Sequence, residues 1–128
     1  MKSRVLLSIS VIFLILALAG CGIVPPPKIL SANIIITDWE QSYYEYSQEW
    51  SDYVYIYYEI ENTGGVDIDY YKVWFIIICA NGSKYYDWTN GLFVDVGHKY
   101  SDYTMTNVAG NRVVSVEITD WELENWGF

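Results

Sequence analysis

Two stretches of period-two alternation decide most of what this chain can fold into. From Tyr53 to Glu61, Val54, Ile56, Tyr58 and Ile60 fall on one side of an extended backbone, with Tyr53, Tyr55, Tyr57 and Glu59 on the other. From Ile68 to Ala80 the two faces are Tyr71, Val73, Phe75, Ile77 and Cys79 against Tyr70, Lys72, Trp74, Ile76 and Ile78. A helix, with its period of 3.6, would scatter both sets around its axis, so these are strands. The second stretch is apolar on both faces. Such a pattern describes a central strand covered twice, or one covered by a neighbouring partner.

Turn chemistry punctuates the rest. Asn62-Thr63-Gly64-Gly65 ends the first strand. Asn81-Gly82 ends the second and is the strongest short hairpin signal, expected as a type I′ turn leading into Lys84–Thr89. Ile34-Ile35-Ile36 running to Trp39 is a further β-branched strand, Leu92–Gly97 is another connection, and Lys99–Met105 and Val113–Trp121 complete the series. Gln41–Asp52, which holds Tyr43, Tyr44, Tyr46 and Trp50, reads either as a long loop or as a ragged hairpin. Beyond Leu30 no helical period is found. About seven short strands separated by turns predict an all-β fold, a single small antiparallel sandwich over residues 30–128.

The pentapeptide Ile36-Thr37-Asp38-Trp39-Glu40 recurs as Ile118-Thr119-Asp120-Trp121-Glu122. Plain alternation puts each Trp on the face of its Thr, with the acids opposite. Acids are almost never buried unpaired, so Trp39 and Trp121 are expected to face inward and be mostly buried. The period is too long for a solenoid.

The chain has 128 residues, enough for one domain, and 52% of them are apolar, which excludes disorder. Tyr and Trp, at 13 and 6, outnumber the 4 Phe, so much of the aromatic surface carries a polar handle. Seven basic residues stand against 16 acids. Lys2 and Arg4 belong to the leader, which leaves a net charge of −11 and argues against a nucleic-acid partner.

The leader itself is a short basic stretch to Arg4 and an apolar run from Val5 to Ala19 broken only by Ser8 and Ser10. The run is shorter than the ~20 residues of a spanning helix, and residues 1–20 read as a signal peptide. Leu18-Ala19-Gly20-Cys21 resembles the lipobox of prokaryotic lipoproteins. That resemblance implies cleavage before Cys21, acylation of its thiol, and anchoring on the extracytoplasmic face of the cell membrane or outer membrane, with the bilayer as partner. Pro25-Pro26-Pro27, within a segment spanning 21–29, is a stiff spacer.

Ile60-Glu61-Asn62-Thr63-Gly64, the long strand closing at Asn81-Gly82, and Val94-Asp95-Val96-Gly97 together resemble the FxLYD-type and related immunoglobulin-like domains of secreted prokaryotic proteins. Those families commonly read Pro-Gly in the last element, where this chain has Val96. The resemblance implies an immunoglobulin-like sandwich and no catalytic residues.

A search for catalytic chemistry returns little. His98 is the one histidine and follows Gly97 in a turn, where it reads as solvated. Cys79 sits mid-strand as a small buried hydrophobe and, with Cys21 acylated, has no disulfide partner. Tetrahedral zinc lacks ligands. Asp67 with Asp69, or Glu122 with Glu124, is a conceivable calcium pair, but no EF-hand spacing occurs. No cofactor and no enzyme activity is expected. Asn81-Gly82-Ser83 also matches an N-glycosylation sequon.

Aromatics are the unusual resource. The expectation is a membrane-anchored binding or structural module with an envelope protein as partner, its surface built from Tyr43, Tyr44, Tyr46 and Trp50. The alternative is a carbohydrate-binding module, with a glycan on Trp and Tyr platforms.

Overall fold

A computed structural model describes residues 28–127. The signal peptide, Cys21 and the three prolines lie outside the described residues. Strands β1 (Ala32–Glu40), β2 (Tyr43–Tyr44), β3 (Glu49–Trp50), β4 (Tyr53–Asn62), β5 (Ile68–Cys79), β6 (Lys84–Val94), β7 (Lys99–Asn107) and β8 (Val113–Glu124) follow in order, and no helix occurs among the described residues. They form two three-stranded sheets, β1-β4-β7 and β6-β5-β8, with β2 and β3 as a separate hairpin. Each pairing is antiparallel. The sandwich is therefore all-β, with three strands per layer.

The two alternating stretches become the two central strands. Val54, Ile56, Tyr58 and Ile60 of β4 meet Tyr71, Val73, Phe75, Ile77 and Cys79 of β5 in one buried cluster. Tyr58 and Phe75 are the largest side chains fully enclosed there. Both central strands bury their apolar face because each has a strand on either side and a sheet in front.

The repeated pentapeptide has a geometric meaning that alternation hides. In β1 the register with β4 slips between Ile36 and Asp38, so Thr37 is an extra residue. In β8 the register with β5 slips between Ile118 and Asp120, so Thr119 is the extra one. Each copy is a β-bulge, and a bulge reverses the facing of every later residue in its strand. Trp39 and Trp121 therefore leave the face of their Thr and join the core side, opposite the fully buried Ile56 and Val73. Both indoles pack against the core with only a minor part of their surface exposed, mostly buried as expected. In each copy the Asp carboxylate accepts the N–H of the following Trp, at 2.8 Å for Asp38 and 2.9 Å for Asp120.

The hairpin after β5 corrects the expected turn. Gly82 N–H donates to the Cys79 carbonyl and Cys79 N–H to the Ser83 carbonyl, both at 2.9 Å. Gly82 has φ +86°, while Asn81 is not among the residues with positive φ. This is a three-residue loop, a type I turn closed by a glycine bulge, in place of the two-residue type I′ turn. The Asn81 carboxamide explains the preference: its oxygen accepts the Ser83 N–H and its nitrogen donates to Asn111.

Gln41–Asp52 resolves as the hairpin alternative. Gln41 pins its base, donating to the carbonyls of Ser51 and Asn111 and accepting from the Val113 N–H. At the opposite end, the buried Asn62 donates to the carbonyls of Val66 and Val94 and accepts from the Gly64 N–H. Two of the segments that carried the family resemblance, around Asn62 and Val94, are thus held together by one side chain.

Candidate functional site

The expected surface residues share one hairpin. Tyr43 and Trp50 are cross-strand partners with ring centroids 4.8 Å apart, and Tyr43, Tyr44 and Tyr46 are exposed, Tyr46 completely. Trp50 is partly buried beneath the Arg112 guanidinium, 5.7 Å from its ring. The four residues are brought together, with Trp50 as the support of the cluster and the tyrosines as its surface.

A second and larger aromatic surface lies on the outer side of the β6-β5-β8 sheet. Strand register arranges it as a grid of five rows. β8 contributes Ser115, Glu117, Asp120, Glu122 and Glu124; β5 contributes Ile78, Ile76, Trp74, Lys72 and Tyr70; β6 contributes Lys84, Tyr86, Trp88, Asn90 and Leu92. An acidic column therefore runs beside an apolar one, which runs beside a mixed aromatic one. No other strand of the described residues lies over this face. It is the second apolar face of β5, and here it is open.

Trp74 and Trp88 are paired across the strands. The Lys72 ammonium sits 4.8 Å from the Trp74 ring and 4.1 Å from the Trp88 ring, a double cation–π contact on the surface. A cation is held there by two π faces in a strongly acidic protein.

The far end of the grid carries backbone strain. Phe93 has φ +56°, in the left-handed region that bulky side chains avoid. In an unbroken strand Phe93 would point opposite to Leu92. The turn in the backbone instead leaves both side chains exposed, at 54% and 56%, and returns Val94 to the core. The Phe93 ring packs edge-on against Trp126, 6.1 Å away, and Trp126 donates its ring N–H to Glu124 and its backbone N–H to Asp69. Nothing in residue type announces a left-handed Phe, so sequence reasoning missed this end. The lone Lys72 within an apolar run was the available signal for the rest.

The groups weighed for chemistry are placed apart. Cys79 is buried at the C-terminal end of β5, and burial pushes its thiol above the ordinary cysteine range. His98 is exposed at the opposite end, where its carbonyl accepts from the Asn62 N–H, so it cannot serve as a base for Cys79. Asp67 accepts the Val96 N–H and Asp69 the Trp126 N–H, which gives both carboxylates a structural task. The outer face of the other sheet carries Tyr55, Tyr57 and Tyr103 in ring contact, with Lys99 bridging Glu59 and Glu61 beside them.

The fold and its surfaces define a small antiparallel β-sandwich with open aromatic faces. Among solved structures, the chain is similar to IrmA from Escherichia coli, with a TM-score of 0.50 at 12% identity over 77% of this chain and 81% of that one. It is also similar to the structural-genomics target SoR45, with a TM-score of 0.40 at 13% identity over 74% of this chain and 88% of that one. At 12% identity the likeness to IrmA shows the fold alone. No protein-family model matches the chain, and no curated protein does.

Proposed function

We propose that this protein is a lipid-anchored extracytoplasmic module that binds a protein partner and carries out no chemistry of its own. The observation that carries the reading is the aromatic surface outside the core. Tyr86, Trp88 and Leu92 stand exposed on one face with Phe93 exposed at its end, and Tyr43, Tyr44 and Tyr46 on the hairpin, on a sandwich whose core is already filled by other residues. Exposed apolar clusters rimmed by polar groups mark interaction sites. The lipobox-like segment ending at Cys21 supplies the anchor, and the proline run supplies the distance from the bilayer.

A glycan is the second reading, favoured by the paired Trp74 and Trp88. Lys72 weighs against it, because its ammonium occupies ring faces on which a sugar would stack. The test has two parts. The intact protein partitions into the detergent phase, and Cys21→Ser moves it to the aqueous phase or leaves it uncleaved. Titration with a glycan panel leaves tryptophan fluorescence unchanged. A Cys21→Ser protein that still partitions at its mature mass overturns the anchor, and a saturable glycan response overturns the protein partner.

A further inference from the structure

We infer that the outer face of the β6-β5-β8 sheet docks a protein segment that carries apolar side chains together with Lys or Arg. The inference rests on the binding-module reading and assigns it a surface and a partner chemistry. The face is apolar along its middle, where Tyr70, Trp74, Ile76 and Ile78 of β5 line up, and acidic along one side, where Glu117, Asp120, Glu122 and Glu124 of β8 line up. Its two cations are Lys72 and Lys84.

Charge complementarity selects the occupant. A second copy would bring another four acids and a strongly negative domain against this one, whereas a basic segment gains attraction at long range and pairing at contact. The Lys72 ammonium is drawn onto Trp74 and Trp88, on the row beside Glu122, and the carboxylates of Glu117, Asp120, Glu122 and Glu124 form the side of the face that a cation meets. Because Lys72 already holds those ring faces, an incoming Lys or Arg meets the column of carboxylates on β8, and the apolar side chains of the segment meet the apolar column of β5 and the exposed rings of β6.

Phe93 is the independent observation. A left-handed Phe is a conformation that glycine adopts without strain, yet here a large ring occupies it and stands exposed beside Leu92 and Trp126. The turn at Phe93 returns Val94 to the core and leaves the Phe93 ring itself outside it. Its effect is to leave two consecutive apolar side chains, Leu92 and Phe93, exposed at the end of the grid, next to Trp126.

The test measures binding of fluorescein-labelled peptides to the full chain in mild detergent: one peptide of Leu and Lys, one of Leu and Glu. The Leu–Lys peptide binds and weakens with added salt, and the Leu–Glu peptide does not bind. Trp88→Ala and Glu122→Lys, both at exposed positions, each weaken binding by roughly tenfold or more, while Tyr46→Ala leaves it within about twofold. Phe93→Gly weakens binding while the melting temperature holds or rises, a split that a structural role for the ring does not produce. Equal binding of both peptides, no binding, unchanged affinity in Trp88→Ala and Glu122→Lys, or a Phe93→Gly protein that melts lower and binds normally overturns the inference. Loss of binding in Tyr46→Ala alone places the partner on the hairpin: the module reading then stands and this face does not.

Discussion

The phenol oxygens of Tyr58 and Tyr71 lie 2.8 Å apart in the middle of the sandwich, one hydroxyl donating to the other across the two sheets. Their rings meet edge to face with centroids 6.2 Å apart. This polar link within the apolar core joins the central strand of each layer. Burial pushes both phenols above the ordinary tyrosine range, with the mutual hydrogen bond adding to the rise at Tyr58.

This pair makes stability sensitive to alkali. A tyrosine in the unfolded chain loses its proton near pH 10, while the buried pair keeps its protons to higher pH. The unfolded state then binds fewer protons, so stability falls as pH rises above about 10, with a limiting slope of about 1.4 kcal/mol per pH unit for each tyrosine. Below that range the two phenols contribute no pH dependence. Tyr58→Phe is expected to cost roughly 1–3 kcal/mol at neutral pH, because the Tyr71 hydroxyl loses its partner, and to flatten the alkaline slope. Urea unfolding midpoints between about pH 8 and 11 check both effects. Parallel slopes for the two proteins would refute the assignment.

Gly91 is the condition for this arrangement. It pairs with Tyr71 across β5 and β6, and a Cβ there would overlap the end of the Tyr71 ring. Gly91→Ala is therefore expected to destabilise by roughly 1–3 kcal/mol, as overpacking does, even though alanine is ordinarily the better strand residue. In a Tyr71→Phe background the same substitution should cost less, since the phenol oxygen is among the atoms it would strike. A double-mutant cycle by chemical denaturation measures the difference.

The parts of the fold legible in the sequence divide from the hidden parts along strand parity. Ile56 and Phe75 declare their burial because neighbours two residues away repeat the choice. Thr37 and Thr119 defeat the same logic, since one added residue reverses every face after it and nothing in Thr itself signals a bulge. The identical surroundings of the two Thr were the usable clue, although equal sequence says only that the two sites are equal. The outer grid was hidden for a different reason. Trp74, Trp88 and Glu122 are far apart in the chain and become a surface only through the sheet order β6-β5-β8, which alternation within single strands cannot supply. The apolar character of both faces of β5 had nonetheless left an external partner open as one of two explanations.

The bulges give a direct prediction. In each pentapeptide the Asp carboxylate caps the N–H of the Trp beyond the extra residue. Asp38→Ala removes that acceptor and is expected to cost about 0.5–1.5 kcal/mol, while Asp38→Asn, which keeps a carboxamide oxygen, should recover most of the loss. Thermal unfolding of the two variants distinguishes capping from a general charge effect. Equal destabilisation by Ala and Asn would mean that the negative charge matters and the acceptor does not.

The loop around Val96 provides the last prediction, because it shows what a proline at that position would lose. His98 N–H donates to the Asp95 carbonyl at 3.0 Å, and Gly97, with φ +77°, stands third in that four-residue turn, the pattern of a type II turn. Proline is favoured at the second position of such turns, which is where Val96 sits. Here, however, the Val96 N–H donates to the Asp67 carboxylate at 2.9 Å and so ties the loop to the start of β5. Val96→Pro gains about 0.4–1 kcal/mol from a stiffer unfolded chain and loses a hydrogen bond to a charged acceptor, worth roughly 1.5–3 kcal/mol. The lost hydrogen bond outweighs the entropic gain, and the variant is expected to be destabilised. In an Asp67→Ala background the hydrogen bond is already absent, only the entropic gain remains, and the same Val96→Pro change should stabilise. Denaturant midpoints for the four proteins test the reversal of sign, and proline acting in the same direction in both backgrounds would show that Asp67 does not hold the loop.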